Sequence, residues 1–232
     1  MNPNPRHIAI ILDGNRRYAR RLNLEPMKGH ELGYKKLKDL FQWCKELDIK
    51  ELTLYCFSMQ NFSRSKEEVD YLMDLLYRAS TEILKNEDVH KNKIKVRFIG
   101  RTHLLPKNLQ EGMQKVEAAT KDYSNYIANF AIAYGGREEI TDAVKKIAEK
   151  IASRELSPEE INEDSITNNL YLSSFPDIMI RTGGEKRTSN FLTWQSNYSE
   201  WFFIDKMWPE FEKEDMMSII EEYKNRDRRY GK

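Results

Sequence analysis

Short apolar runs rich in β-branched and aromatic residues recur at 7–12, 51–57, 94–99, 126–133, 177–180 and 201–204, and longer stretches of helical period separate them. Runs this short with such composition read as buried strands. Leu37, Leu40, Phe41, Cys44 and Leu47 form one helical stripe, and Val69, Leu72, Met73, Leu76, Ile83 and Leu84 form a second. Ile140, Ala143, Val144, Ile147 and Ile151 form a third. Ser65 and Glu68, just ahead of the second stripe, have the spacing of a capping box, which marks a helix start. Gly29 reads as the opening of the helix that carries the first stripe. Strand–helix alternation throughout predicts an α/β fold, with a single six-stranded, mainly parallel sheet flanked by helices on both faces. No repeat or low-complexity linker breaks the pattern. The polar stretch 154–170 reads as a surface excursion with short helices, and residues 1–232 as one domain.

Ligands of open parallel sheets bind beyond the carboxyl ends of the strands. The first strand is followed by Asp13-Gly14-Asn15, then by Arg16, Arg17, Arg20 and Arg21. A helix N-terminus presents unpaired N–H groups and a positive dipole end, and the arginines strengthen its pull on anions. A lone carboxylate there repels phosphate unless a divalent cation lies between them. Mg²⁺ is typically held by one or two carboxylates plus substrate phosphates. Asp13 as a simple helix cap, with the arginines on a solvated face, is the competing reading. The second strand is followed by Phe57 to Arg64, the fourth by Tyr134 to Glu138 and the fifth by Arg181 to Asn190. Arg17, Arg64, Arg137, Arg181 and Arg187 are therefore expected around one crevice, where guanidinium forks match phosphate oxygens. Gly183-Gly184, flanked by Arg181, Arg187, Thr188 and Ser189, reads as a diphosphate cradle in preference to a plain turn. His30 either faces the same crevice or caps a helix. Glu200 suits a second metal carboxylate, against the plainer reading of a surface glutamate beside a strand.

Composition narrows the choice. The 38 Lys+Arg against 37 Asp+Glu leave a net charge of +1, so the chain lacks the basic stripe expected of a nucleic-acid-binding domain. No window is long and apolar enough to span a bilayer, and the start, Met-Asn-Pro-Asn-Pro-Arg-His, has no signal-peptide core. A soluble, cytoplasmic protein is expected. Cys44 and Cys56 sit in apolar patterns and read as reduced core residues. His7, His30, His90 and His103 lack zinc-ligand spacing. No Walker P-loop is present, Asn15 stands where an aspartyl-phosphate phosphatase would have its second acid, and no twin-aspartate DDxxD occurs.

Together these segments resemble the cis-prenyltransferases, the family of undecaprenyl and dehydrodolichyl diphosphate synthases, in a motif style closer to archaeal and eukaryotic members. The likeness covers almost the whole chain. It runs through Ile10–Ala19, Gly29-His30, Phe57-Ser58 with Asn61-Phe62 and Arg64, Tyr134–Arg137 and Ile180–Gln195. It continues through Tyr198–Glu200 and Trp208-Pro209 to Arg228–Gly231. The resemblance implies condensation of isopentenyl diphosphate onto a farnesyl or geranylgeranyl diphosphate primer with Mg²⁺. The expected product is a long Z-polyprenyl diphosphate, a glycosyl-carrier lipid precursor. By the family's pattern Asp13 holds the metal, with Glu200 helping, across a dimer interface. Gly14, Asn15, Arg16, Arg17 and His30 bind the allylic diphosphate. Arg181, Arg187 and Ser189 bind isopentenyl diphosphate, and Arg229 and Gly231 close over it. Asn61, Ser58 and Arg64 sit beside the reacting carbons, and Tyr18, Phe62 and Thr188 complete the substrate-binding set.

The physical chemistry agrees. Ionising an allylic C–O bond needs cationic stabilisation of the leaving diphosphate. A growing hydrocarbon gains about 0.8 kcal/mol per buried CH₂. A hydrophobic tunnel is therefore expected, with the stripes at 37–47 and 69–84 as walls. The aromatic segment from Trp194 to Phe203, ending at a sheet edge, invites a homodimer as its cover, and peripheral membrane contact would serve product release. Two positions depart from the family pattern. Pro26 stands where arginine is usual, with Lys28 nearby as a substitute, and Gln60 stands where glutamate is usual. Phe62 for the common tryptophan is a milder change.

Overall fold

The computed structural model describes residues 3–226. In chain order the elements are β1 (His7–Ile11), α1 (Asn15–Arg21), α2 (Pro26–Glu46), β2 (Glu51–Ser58), α3 (Lys66–Lys85), α4 (Glu87–Lys91) and β3 (Ile94–Ile99). There follow α5 (Lys107–Thr120), β4 (Tyr126–Tyr134), α6 (Gly136–Ala152), α7 (Glu163–Thr167), β5 (Ile178–Arg181), β6 (Glu200–Phe203) and α8 (Lys213–Asn225). Each strand lies within a residue of the apolar run that foretold it. The stretch 154–170 carries a 3-10 turn at Pro158–Glu160 and the short α7, as expected of a surface excursion.

The strands form one sheet in the order β3-β4-β2-β1-β5-β6, and every pairing is parallel. From β1 the chain passes to β2, then to the edge strand β3, comes back to place β4 between them, and crosses to the other side of β1 for β5 and β6. Strand order thus reverses at β1, which is where an open α/β sheet leaves a crevice. The register pairs Ile8 with Ile178 and Ile11 with both Tyr55 and Arg181. Residues just beyond Ile11, Tyr55 and Arg181 therefore gather at one end.

The two faces are unequal. One packs β1, β2, β3 and β4 against α2, α3, α5 and α8 in a large core that includes Ile8, Ile10, Leu40, Leu54, Leu72, Val96, Leu109, Phe130 and Ile219. The other is covered by α6 and the irregular segments on either side of β5, with Tyr55, Tyr134, Phe191 and Leu192 at its centre. There the Tyr55 and Phe191 rings stack at 4.5 Å. On α6, Ala143 and Ile147 are buried, but Val144 is exposed, so the third stripe is narrower than its sequence period suggested.

Helix α2 begins at Pro26, earlier than the expected opening at Gly29. Proline's fixed φ suits the first helical turn, where its missing N–H is no loss. Gly29 has a different purpose. A Cβ on it would stand 2.0 Å from the Asn15 carbonyl oxygen, so glycine lets α1 cross α2 at close range.

Candidate active site

The crevice lies at the carboxyl end of the sheet and has a volume of about 640 Å³. Its walls include Asp13, Asn15, His30, Tyr55, Ser58, Gln60, Asn61, Arg64, Arg181, Arg187 and Ser189. Strand ends that are far apart in sequence have therefore converged as the parallel sheet requires.

Asp13 sits directly past β1. Its Oδ1 accepts the Gly14 N–H at 2.6 Å and lies 3.3 Å from Arg17 Nη2, while Oδ2 accepts from Arg181 Nη2 at 2.8 Å. A carboxylate offers about four lone-pair positions, so these contacts fix its orientation and leave room for a cation. The Thr182 hydroxyl and the Trp208 N–H both donate to the Asp13 carbonyl, which anchors the backbone as well. Arg181 is 4 % exposed and its Nη1 donates to Ser189 Oγ and to the Arg187 carbonyl, each at 2.6 Å. Its buried Nε makes no hydrogen bond with the described residues. The loop from Arg181 to Ser189 is thus folded around one buried guanidinium.

In the expected cradle at Gly183-Gly184, the glycines' own N–H groups are used inside the fold. The Gly183 N–H donates to the Lys206 carbonyl at 2.7 Å and the Gly184 N–H to the Ile204 carbonyl at 2.9 Å. The pair serves the turn instead: Gly183 has φ +86°, and a Cβ there would meet Arg17 Nη2 at 2.6 Å. The loop's polar reach into the crevice comes from the Arg181, Arg187 and Ser189 side chains. Arg187 also pairs with Glu185 at 2.6 Å, and Glu185 lies 3.8 Å from Arg17.

The arginines of α1 divide. Arg16 and Arg17 turn toward the site, Arg21 pairs with Glu210 at 2.5 Å and lies over the Tyr18 ring, and Arg20 is exposed. Tyr18 thus supports α1 and lies outside the crevice wall. At the opposite side, Ser58 and Asn61 form a reciprocal capping box at the 3-10 turn Met59–Ser63, with Asn61 Oδ1 accepting the Ser58 N–H at 2.9 Å. Phe62 packs edge-on against Phe57 at 4.9 Å and does not line the crevice. Arg137 and Thr188 are exposed outside its wall, Arg137 donating its N–H to Asn190 Oδ1. Of the five arginines expected, Arg64, Arg181 and Arg187 line the crevice, Arg17 reaches its edge against Asp13, and Arg137 lies outside, while Arg16 sits nearby against Glu68.

Sequence reasoning missed Glu68 as part of the site. Its Oε1 accepts from Arg64 Nη1 at 2.9 Å and lies 3.4 Å from His30 Nε2, and its Oε2 is 3.3 Å from Arg16 Nη1. Arg64 stands in extended backbone just ahead of α3, so the contact depends on the turn into the helix and on folding, and the sequence carried no direct signal for it. Burial and the neighbouring Arg64 push the His30 pKa below its ordinary value, with Glu68 pulling the other way.

Glu200 falls elsewhere. It opens β6, paired in register with Ile178, at the end of the sheet away from Asp13, and it accepts from Arg226 Nη1 at 2.6 Å. A residue that precedes a parallel strand cannot share the crevice beyond the strands' carboxyl ends within the same subunit. Arg229 and Gly231 lie outside the described residues.

Next to the crevice is a second, apolar cavity of about 460 Å³ between α2, α3 and the outer strands. Phe41, Ile83, Val96, Phe98, Phe130 and Ile132 are among its walls, and Tyr34, Leu37, Cys56, Leu76 and Ala79 line both spaces. The β2 register slips around Cys56, and both Cys56 and Phe57 then pack on the side of the larger core.

A family model described as "Putative undecaprenyl diphosphate synthase" matches residues 11–231. The chain belongs to this family. It is a prenyltransferase that condenses isopentenyl diphosphate onto an allylic diphosphate and so builds a Z-polyprenyl diphosphate. Among its relatives is a tritrans,polycis-undecaprenyl-diphosphate synthase (geranylgeranyl-diphosphate specific) of Thermococcus kodakarensis, 49 % identical over 98 % of this chain and 87 % of that protein. The enzyme of the same name from Pyrococcus horikoshii is 50 % identical, again over 98 % of this chain and 87 % of its own. In three dimensions the chain is similar to lavandulyl diphosphate synthase from Lavandula x intermedia, crystallised with dimethylallyl diphosphate. That match has a TM-score of 0.94 at 35 % identity and covers 99 % of each chain.

Proposed function

We propose that this prenyltransferase extends a geranylgeranyl diphosphate primer to a product of about undecaprenyl length, as the names of its archaeal relatives state for those enzymes. The observation that carries this reading is the joining of a cation-rich crevice to an apolar cavity through five shared residues. Diphosphate stays in the first, and each CH₂ that enters the second gains about 0.8 kcal/mol.

Arg16, Arg17 and His30, with Gly14 and Asn15 at the start of α1, receive the allylic diphosphate. Arg181, Arg187 and Ser189 receive isopentenyl diphosphate, whose alkene is the nucleophile. Ser58, Asn61 and Arg64 hold the reacting carbons in line, and alignment supplies much of the rate because an alkene is a weak nucleophile. Asp13 is the protein ligand for Mg²⁺. No group of three or more metal-binding side chains occurs among the described residues, and that suits an ion held by one carboxylate together with substrate oxygens. When bound, Mg²⁺ neutralises diphosphate charge and makes it a better leaving group.

The edge strand β6 presents Trp201 and Phe203 stacked at 5.6 Å, near the exposed Tyr198. A second copy covering that edge supports a homodimer, and it is the arrangement in which Glu200 would reach a partner's Asp13. Among the described residues no helix is long and apolar enough to cross a membrane, so contact with a bilayer during product release would be peripheral.

The test is an elongation assay with Mg²⁺, labelled isopentenyl diphosphate, and farnesyl or geranylgeranyl primer. Long Z products, formed best from the geranylgeranyl primer, are expected. No elongation by folded protein with either primer would sink the proposal. Asp13→Ala should lower kcat at least about 10²-fold, in line with loss of a charge-stabilising group, in protein that is still folded at the assay temperature although its Tm falls with the loss of the Arg181 partner. Near-normal turnover in that variant would place the metal elsewhere.

A further inference from the structure

We propose that Glu68 is a positioning residue that fixes Arg16, His30 and Arg64 in a single arrangement at the allylic-diphosphate pole of the crevice. This rests on the reading that Arg16 and His30 meet that diphosphate.

The three groups come from separate pieces of chain: Arg16 from α1, His30 from α2, and Arg64 from the link ahead of α3. One carboxylate joins all three, Oε1 serving Arg64 and His30 and Oε2 serving Arg16. The Glu68 and His30 side chains are only 13 % and 12 % exposed, so water screens this pair less than it screens a surface pair. Arg16 and Arg64 carry like charges and would separate without an anion between them.

Glu68 is not spent on the helix it belongs to. The spacing from Ser65 is that of a capping box, and the Ser65 side chain does accept the Glu68 N–H, at 3.3 Å. The return bond of the box, from the Ser65 N–H to the Glu68 carboxylate, is not made. The carboxylate has turned to the cations of the crevice.

A carboxylate in this place has opposite effects on binding and on turnover. Its charge works against an incoming diphosphate, so removing it should not weaken anion binding. Its contacts hold the cations in place, so removing it should slow the reaction. A purely structural glutamate would lower stability, affinity and rate together.

The experiment compares Glu68→Gln and Glu68→Asp in the full chain. Steady-state kcat and KM for the allylic diphosphate are measured, together with Tm and the Kd of inorganic pyrophosphate with Mg²⁺ by calorimetry. Glu68→Gln should bind pyrophosphate at least as tightly as the native chain and keep its Tm. Its kcat should fall by about 10- to 100-fold, the scale of a misplacement on the order of 1 Å. Glu68→Asp, which keeps the charge, should recover part of the lost kcat. A native kcat in Glu68→Gln overturns the inference. So does a fall in kcat accompanied by weaker pyrophosphate binding or a lowered Tm. Arg16→Ala and His30→Ala test the underlying reading separately. If neither weakens pyrophosphate binding, the diphosphate lies elsewhere, and the role given to Glu68 falls with it.

Discussion

Cys56 is the narrowest point of argument for product length, because it borders both the cation-rich crevice and the apolar cavity, opposite Leu37 of α2 and Ala79 of α3. Cys56 is half-buried, and desolvation pushes its thiol pKa up to about 12, so it is an uncharged wall. Cys56→Phe would fill the passage. A five-carbon isoprene unit, at about 0.8 kcal/mol per buried CH₂, gains about 4 kcal/mol on leaving water. Once the chain tip meets the blocked passage, further units lose that gain, and elongation should slow by up to about 10³-fold per unit. Short products should therefore accumulate, while the first condensations keep their rate. Overpacking of this kind costs roughly 1–3 kcal/mol of stability, so the comparison needs a matched control. Cys44→Phe provides one: Cys44 is buried on α2 in the same core and lines neither cavity. The readout is product length by chromatography with labelled isopentenyl diphosphate, alongside Tm. Native-length products from Cys56→Phe, or equal shortening in Cys44→Phe, would refute the reasoning.

Two further predictions follow from single positions. Gln60 is exposed at the rim of the crevice, with its carbonyl accepting from Ser63 Oγ at 2.7 Å. Gln60→Glu should raise turnover or narrow product length if the position steers Mg²⁺-bound substrate, and unchanged kinetics and products would reduce it to a turn residue. His7 is buried against Thr53, and burial holds its pKa below the ordinary value despite the opposing pull of Glu51 and Asp177. The unfolded chain therefore takes up a proton below about pH 6.5 that the folded chain refuses, so stability should fall on acidification from that point, by at most about 1.4 kcal/mol per pH unit. Urea unfolding at pH 7.5 and 5.5 should show a smaller fall in His7→Gln, and an equal fall would assign the proton elsewhere.

The strands were legible because buried parallel strands must be continuous apolar runs, and the gathering of their ends followed from the architecture alone. The errors have equally local causes. Pro26 was weighed as a missing arginine, although a proline there is first of all a helix opener. Gly183-Gly184 was read with its flanking residues as a diphosphate cradle, but both glycine N–H groups are taken by the Lys206 and Ile204 carbonyls, contacts distant enough in sequence to leave no local trace. Glu200 is a separate case: it was assigned to the metal across a dimer interface, and strand polarity keeps a residue that opens β6 out of its own subunit's crevice, so that assignment depends on the dimer. Glu68 was credited with a cap because Ser65 is near in sequence, whereas His30 and Arg16 come near only after folding.

The insertion of β5 beside β1 has a consequence for the order in which the protein matures on the ribosome. Ile8 waits for Ile178, and Asp13 for Arg181, across most of the polypeptide. Until β5 has emerged, one side of β1 is an unpaired edge, and such edges are prone to pair wrongly. The strands β2, β3 and β4 can already associate with their helices by then, so a nascent chain holds most of its core before it holds its active centre. Synthesis interrupted ahead of residue 178 would leave a compact fragment without Arg181, Arg187 and Ser189, the side chains assigned to isopentenyl diphosphate. Competence for the reaction arrives late in translation, with the strand that carries Arg181.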